Sequence, residues 1–200
     1  PSRPAGKCNS PTWSPDGQRI LCVPPSGGPF VIVDAASGDP VDVVKNASGA
    51  TPTWSPAQKE IAYSALSANR KSSVIWRASL DASEPQSLVD TGGENFAPSF
   101  SPDGTLIAYQ SDEGSSQSEI WVMGRGGENP HRLTQSPPGT WSRGPAWSPD
   151  GQWIAYVSNQ ADSVGADYGE IFVVSLKTGE VVQVTHSGGK VYDWRVSWSN

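Results

Sequence analysis

A chain of 200 residues is long enough for one sizeable core or two small ones. Its 14 lysines and arginines against 20 aspartates and glutamates leave a net charge of −6, which argues against the basic footprint of a nucleic-acid binder. No apolar run reaches the roughly 18 residues of a membrane-spanning helix, and 21 glycines with 18 prolines punctuate short elements rather than long helices.

Residues 1–9 read as coil rich in proline and glycine. Cys8 and Cys22 flank the first predicted hairpin, and two readings stay open for them: a disulfide, or two buried free thiols. Pro11-Thr12-Trp13-Ser14-Pro15-Asp16-Gly17 then leads into three apolar runs, Ile20–Val23, Phe30–Val33 and Val41–Val44. Asn46-Ala47-Ser48 is a sequon, relevant only in a host that glycosylates.

The pattern returns three times. Pro52-Thr53-Trp54-Ser55-Pro56-Ala57-Gln58 precedes the runs Ile61–Tyr63, Val74–Trp76 and Gln86–Val89. Pro98-Ser99-Phe100-Ser101-Pro102-Asp103-Gly104 precedes Ile107–Tyr109, Ile120–Met123 and His131–Thr134. Pro145-Ala146-Trp147-Ser148-Pro149-Asp150-Gly151 precedes Ile154–Val157, Ile171–Val174 and Val181–Thr185. A truncated fifth copy, Val196-Ser197-Trp198-Ser199-Asn200, ends the sequence. The aromatic anchors recur every 41 to 51 residues.

Ser-Pro-Asp-Gly is a turn with a mechanism: proline presets φ, aspartate bonds its own backbone and glycine accepts positive φ. The second repeat has Ala57-Gln58 in place of Asp-Gly, so its turn is expected to be looser. Four short β-rich segments per repeat predict an all-β fold, a β-propeller of four-stranded antiparallel blades. Neighbouring blades bury both faces of each sheet, and the repeated Trp and Phe act as wedges between them rather than as a sugar-binding stripe. The blades are expected at about 10–46, 51–90, 97–136 and 144–186, in a single propeller domain or part of one. Residues 192–199 read as the first strand of a fifth blade.

The pattern Pro-x-Trp-Ser-Pro-Asp-Gly-x-x-Ile-Ala-Tyr resembles the WD40-like propeller repeat of the TolB type, over residues from about 10 to 200. That resemblance implies a prokaryotic, exported protein, periplasmic, cell-surface or secreted. It also implies a ring usually of six blades. Such repeats occur in periplasmic TolB, in peptidases of the prolyl-oligopeptidase kind and in bacterial sensors. The open ring leaves three expectations: completion by missing sequence, completion by a neighbouring subunit, or closure as a small ring with the last strand as a clasp. An unpaired apolar strand invites a partner, so Trp194, Val196 and Trp198 are candidates for an assembly strand.

Catalytic chemistry has little to stand on. There is no Gly-x-Ser-x-Gly elbow; Ser142 lies in Gly-Thr-Trp-Ser-Arg-Gly. His131 and His186 sit near the ends of outer strands and read as exposed edge residues. No His or Cys spacing suggests zinc, and no glycine-rich loop suggests a phosphate cradle. Asp112, Glu113, Asp162 and Asp167 read as solvated loop carboxylates rather than a calcium site. The sequence therefore predicts no enzyme, no cofactor and no metal.

Recognition is expected on one face. The second-to-third strand loops and the connections between blades vary in length and share a side of the propeller. The candidates there are Arg70, Lys71, Asn95, Phe96, Asp112, Trp141, Arg143, Asp167, Tyr168 and Tyr192, with Trp141 and Arg143 foremost. The expected function is a non-catalytic, extracytoplasmic scaffold that binds a protein partner or itself, including a filament subunit joined by strand exchange. The alternative is a ligand-sensing or substrate-gating domain cut from a larger receptor, kinase or peptidase.

Overall fold

The computed structural model describes residues 8–57, 59–80, 84–113, 116–161, 168–187 and 196–198. Their strands form four antiparallel meanders of four strands each. Blade 1 contains β1 (Asn9–Trp13), β2 (Arg19–Val23), β3 (Phe30–Asp34) and β4 (Pro40–Val44). Blade 2 contains β5 (Ala50–Trp54), β6 (Glu60–Leu66), β7 (Ser73–Ser79) and β8 (Gln86–Val89). Blade 3 contains β9 (Asn95–Phe100), β10 (Leu106–Ser111), β11 (Glu119–Gly124) and β12 (His131–Arg132). Blade 4 contains β13 (Ser142–Trp147), β14 (Trp153–Ser158), β15 (Glu170–Ser175) and β16 (Val181–Gln183). The architecture is the all-β propeller that the repeat predicts, with an unclosed ring.

The Ser-Pro-Asp-Gly turn works as its residue types require. Ser101 Oγ donates to Asp103 Oδ1 at 2.6 Å and accepts from the Leu106 N–H at 2.9 Å. Gly104, at φ +72°, closes the turn by donating to the Ser101 carbonyl. Ser14 and Ser148 repeat the arrangement. These hydroxyl bonds hold the Asp103 and Asp150 carboxyls below their ordinary pKa. In blade 2 the corresponding N–H, that of Glu60, lies 3.4 Å from Ser55 Oγ, the looser turn expected where Ala57 replaces aspartate.

Packing between blades has a polarity. Each of blades 2 to 4 presents two aromatic side chains and an isoleucine to the blade before it. Trp54, Ile61 and Tyr63 pack on Leu21, Phe30 and Ile32 of blade 1. Phe100, Ile107 and Tyr109 pack on Ala62, Ile75 and Val89 of blade 2. Trp147, Ile154 and Tyr156 pack on Ala108, Ile120 and Val122 of blade 3. Indoles add a directional bond one blade back: Trp54 Nε1 donates to the Thr12 carbonyl at 3.2 Å, and Trp147 Nε1 to that of Ser99 at 2.9 Å. Trp198 Nε1 repeats this onto Ala146 at 3.0 Å.

Blade 1 departs from the pattern. Where the other blades have a cross-strand aromatic pair (Tyr63–Trp76, Tyr109–Trp121, Tyr156–Phe172), it has Cys22 opposite Val31. Cys22 is joined by a disulfide to Cys8, beside β1. Trp13 is 62% exposed.

The innermost strand of every blade is kinked in the same place. Ser10, Thr51, Ala97 and Gly144 each precede a proline and each have positive φ, between 46° and 62°. The ladders to β2, β6, β10 and β14 shift register there, as a bulge requires.

Buried carboxylates clasp the outer strands of blades 3 and 4. Glu119 accepts from Thr134 Oγ1 at 2.6 Å and from the Ser136 N–H at 2.7 Å. Glu170 is held likewise by Thr185 and Ser187. This explains why β12 is shorter than the His131–Thr134 run expected: Thr134 turns its hydroxyl inward to Glu119 and leaves the ladder. An ionic tie joins blades 2 and 3, where Arg125 Nη2 donates to Glu60 Oε2 at 3.0 Å.

Candidate functional site

The loops between second and third strands emerge beside the connections between blades, on the face opposite the Ser-Pro-Asp-Gly turns. Between blades 1 and 2 they surround an open cavity of about 900 Å³. Gly27 and Gly28 come from the first such loop, Ser48 and Gly49 from the blade 1–2 connection, Leu66 from the end of β6 and Arg70 from the second loop. The wall behind them includes Tyr63, Trp76 and Phe96. Gly49 lies so close to blade 2 that a Cβ there would collide with the Ser64 carbonyl. The cavity extends outward to Glu84 and Pro85, beside the start of β8.

The loop that carries Arg70 is firmly built. Ser67 Oγ donates to Asn69 Oδ1 at 2.7 Å, and the same oxygen accepts from the Lys71 N–H at 2.9 Å. The Arg70 N–H donates to the Ser67 carbonyl at 2.9 Å, with Arg70 at φ +57°. Both cations are exposed, and Leu66 at the rim is 55% exposed. Trp76 Nε1 is buried with no hydrogen-bond partner.

The structure distributes the other sequence-predicted residues unevenly. Arg70 and Phe96 meet at the cavity, with Lys71 beside Arg70. Asn95 is fully buried, its amide donating to the carbonyls of Ser73 and Gly93 at 2.9 and 3.2 Å, so it braces the blade 2–3 connection. Asp112 is half-buried and accepts from the Glu94 N–H at 2.7 Å, in the same brace. Trp141 and Arg143 form a separate group on blade 4, the guanidinium 4.5 Å from the ring centroid. Partial burial lowers the Arg143 pKa. The Trp141 N–H donates to Asn159 Oδ1 at 2.7 Å, and a Cβ at Gly169 would press on the indole. Trp141 thus packs as a cover over blade 4. Tyr168 is half-buried nearby in the chain.

Asp162, Asp167, Tyr192 and Trp194 lie outside the described residues. Val196–Trp198 are described, and Trp198 is seated on blade 4 of its own chain through Ala146. His131 and His186 are exposed. Among the described residues no three His, Cys, Asp or Glu side chains gather as a metal site. No helix among them is long and apolar enough to cross a membrane. Sequence reasoning missed Glu119, Glu170, Leu66 and Trp76. The Glu residues did carry a signal: Glu-Ile-Trp-Val and Glu-Ile-Phe-Val each precede a Thr-x-Ser by a similar interval.

Comparison with known proteins fits this geometry. TolB from Acinetobacter baumannii superposes with a TM-score of 0.73 at 22% identity, over 90% of this chain and 44% of that one. An oligogalacturonate lyase in complex with manganese superposes with a TM-score of 0.67 at 18% identity, over 88% of this chain and 52% of that one. An uncharacterized protein of Agrobacterium fabrum is 29% identical over 110 residues, 55% of this chain and 36% of the relative. The chain therefore spans about half or less of the length of each. Residues 31–200 match the family model of the TolB beta propeller domain, and with blade architecture and repeat in agreement, the chain belongs to that family.

Proposed function

We propose that this propeller is a non-catalytic, extracytoplasmic protein-interaction module that engages its partner through the loop face. The observation that carries the reading is the meeting of variable loops from successive blades around one open cavity. Rigid blades that present variable loops are the usual arrangement for recognition. The Cys8–Cys22 disulfide supports an oxidising compartment, where such bonds persist. The fold shared with TolB supports a protein partner. Self-association through Val196 and Trp198 draws less support, because Trp198 is already bonded to its own blade 4.

A photo-crosslinking amino acid at Phe96, compared with one at Val182 on the outer edge, tests the reading in cells. A protein adduct confined to the Phe96 site is the expected result. Hydrolysis by the purified chain, abolished by one point substitution, would overturn it.

A second reading is a substrate-gating or ligand-sensing domain of a larger receptor, kinase or peptidase. The lyase comparison favours it, since an enzyme carries a similar fold over 52% of its length. Small-molecule binding at the cavity with no protein adduct at Phe96 would select this reading.

A further inference from the structure

We propose that the cavity between blades 1 and 2 takes an extended peptide segment of the partner, with an apolar side chain against Leu66 and Trp76 and a neighbouring carboxylate on Arg70. The inference deepens the protein-binding reading and rests on it. Four observations point to this chemistry.

Shape comes first. The cavity is open, and its lining reaches from the glycines of the first loop, past the blade 1–2 connection, to Glu84 and Pro85 beside the start of the outer strand β8. A lining drawn from so many segments of two blades suits a chain of residues. Gly27 and Gly28 place side-chain-free backbone along it, with nothing within 4 Å of where a Cβ would stand, which lets a second backbone approach closely.

Charge comes second. The segment 66–73 reads Leu-Ser-Ala-Asn-Arg-Lys-Ser-Ser, with two adjacent exposed cations at its tip in a chain of net charge −6; the carboxylates around it are Asp90 and Glu94, which accept from the Ser72 and Ser73 hydroxyls, and Glu84 at the outer end of the cavity. Neither cation has an ion-pair partner among the described residues. Arg19, Arg77 and Arg125, by contrast, are turned onto carboxylates of the chain itself, Asp16 and Glu60. A guanidinium with free donors selects carboxylates, bidentate where geometry allows.

Apolar surface comes third. Leu66 ends β6 with its side chain in solvent, although neighbouring β6 residues Ile61 to Ser64 are buried. It stands four residues from Arg70 on the same cavity rim. An apolar residue next to an acidic one in an extended partner would meet both.

The fourth observation is the stiffness of the loop. The Ser67–Asn69 bonds hold Arg70 at positive φ before any partner arrives, so less freedom is lost on binding.

The test uses the 200-residue chain and fluorescein-labelled octapeptide pools, read by fluorescence anisotropy. One pool alternates Leu, Phe or Val with Asp or Glu; the other replaces the acids with Asn or Gln. The acidic pool is expected to bind, with the amide pool weaker by about ten- to a hundredfold, the range of a charge-assisted hydrogen bond. Arg70→Glu and Leu66→Asp should each remove the binding, and Arg132→Glu, on an exposed outer strand, should leave it unchanged. Circular dichroism melts of the variants exclude misfolding as the cause; both positions are exposed. Equal affinity for the two pools, or binding by neither, overturns the proposal. So does acidic-pool binding that survives both cavity variants and is lost in Arg143→Ala. That last result, with an adduct at Phe96, would leave the loop-face reading standing.

Discussion

The indole N–H of Trp147 donates to the carbonyl of Ser99, 2.9 Å away and one blade back. Trp54 makes the same bond to Thr12, and Trp198 to Ala146. One residue type thus supplies both a hydrophobic wedge and a polar register mark at two blade junctions, and Trp198, though exposed, repeats the bond onto blade 4.

Trp147→Phe should separate the two roles. Phenylalanine already fills this place in blade 3, as Phe100, so the wedge survives and one hydrogen bond is lost. The expected cost is about 1 kcal/mol. Trp147→Ala removes the wedge as well and should cost about 3–5 kcal/mol. Trp13→Ala, on an exposed face, should cost far less in this chain. Urea denaturation of the three variants provides the comparison.

The kink before each inner-strand proline predicts an asymmetric pair. Ala97 holds φ +51°, where a Cβ is disfavoured by about 1–2 kcal/mol, while glycine loses somewhat more chain entropy on folding. Ala97→Gly should therefore stabilise the protein by about 0.5–1 kcal/mol, and Gly144→Ala should destabilise it by about 1 kcal/mol. Thermal melts of opposite sign are the expected result. A loss on both substitutions would mean that packing, not φ, governs these positions.

Two pH windows follow from the shifted groups. Hydroxyl bonds depress the Asp103 and Asp150 pKa values in the folded state, so their contribution is present above the ordinary 3.8. It is lost as pH falls below that value through the lower folded ones. Burial raises Tyr63 to about 12 and moves Tyr109 and Tyr156 upward too. Stability is then intact below pH 10 and declines as pH rises above it, because the unfolded chain ionises first. Absorbance at 295 nm should show these tyrosines ionising together with unfolding rather than before it.

Much of the fold was readable because a propeller writes its period into the chain. Trp13, Trp54, Phe100 and Trp147 fixed the repeat, and Ser-Pro-Asp-Gly fixed the first turn of blades 1, 3 and 4. The loop face followed from strand order alone, and it brought Arg70 and Phe96 to one cavity. The rest depended on partners distant along the chain, which the alternation within one strand does not encode. Asn95 looks like any polar loop residue until Ser73 and Gly93 are found around it. Glu119 sits in a run whose two faces are both buried, so alternation gives no hint that its carboxylate turns inward to Thr134 and Ser136. The cavity itself is a gap between two sheets, and its location requires both.

Reduction of Cys8–Cys22 should destabilise the chain by about 3 kcal/mol, the value for a loop of this size. Thermal melts with and without a dithiol reductant test this. Cys8→Ser/Cys22→Ser should match the reduced wild type and should not respond to the reductant.

The same disulfide has a mechanical meaning. Cys8 lies just before β1, and its partner lies in β2, the next strand outward. Tension applied through the backbone before Cys8 enters the sheet at Cys22 through a covalent bond. The β1–β2 ladder is bypassed, and β1 cannot peel away as the first step of rupture. The load passes instead to β2, which is flanked by β1 and β3. Oxidised, blade 1 is an anchor; reduced, its inner strand becomes the first element to yield.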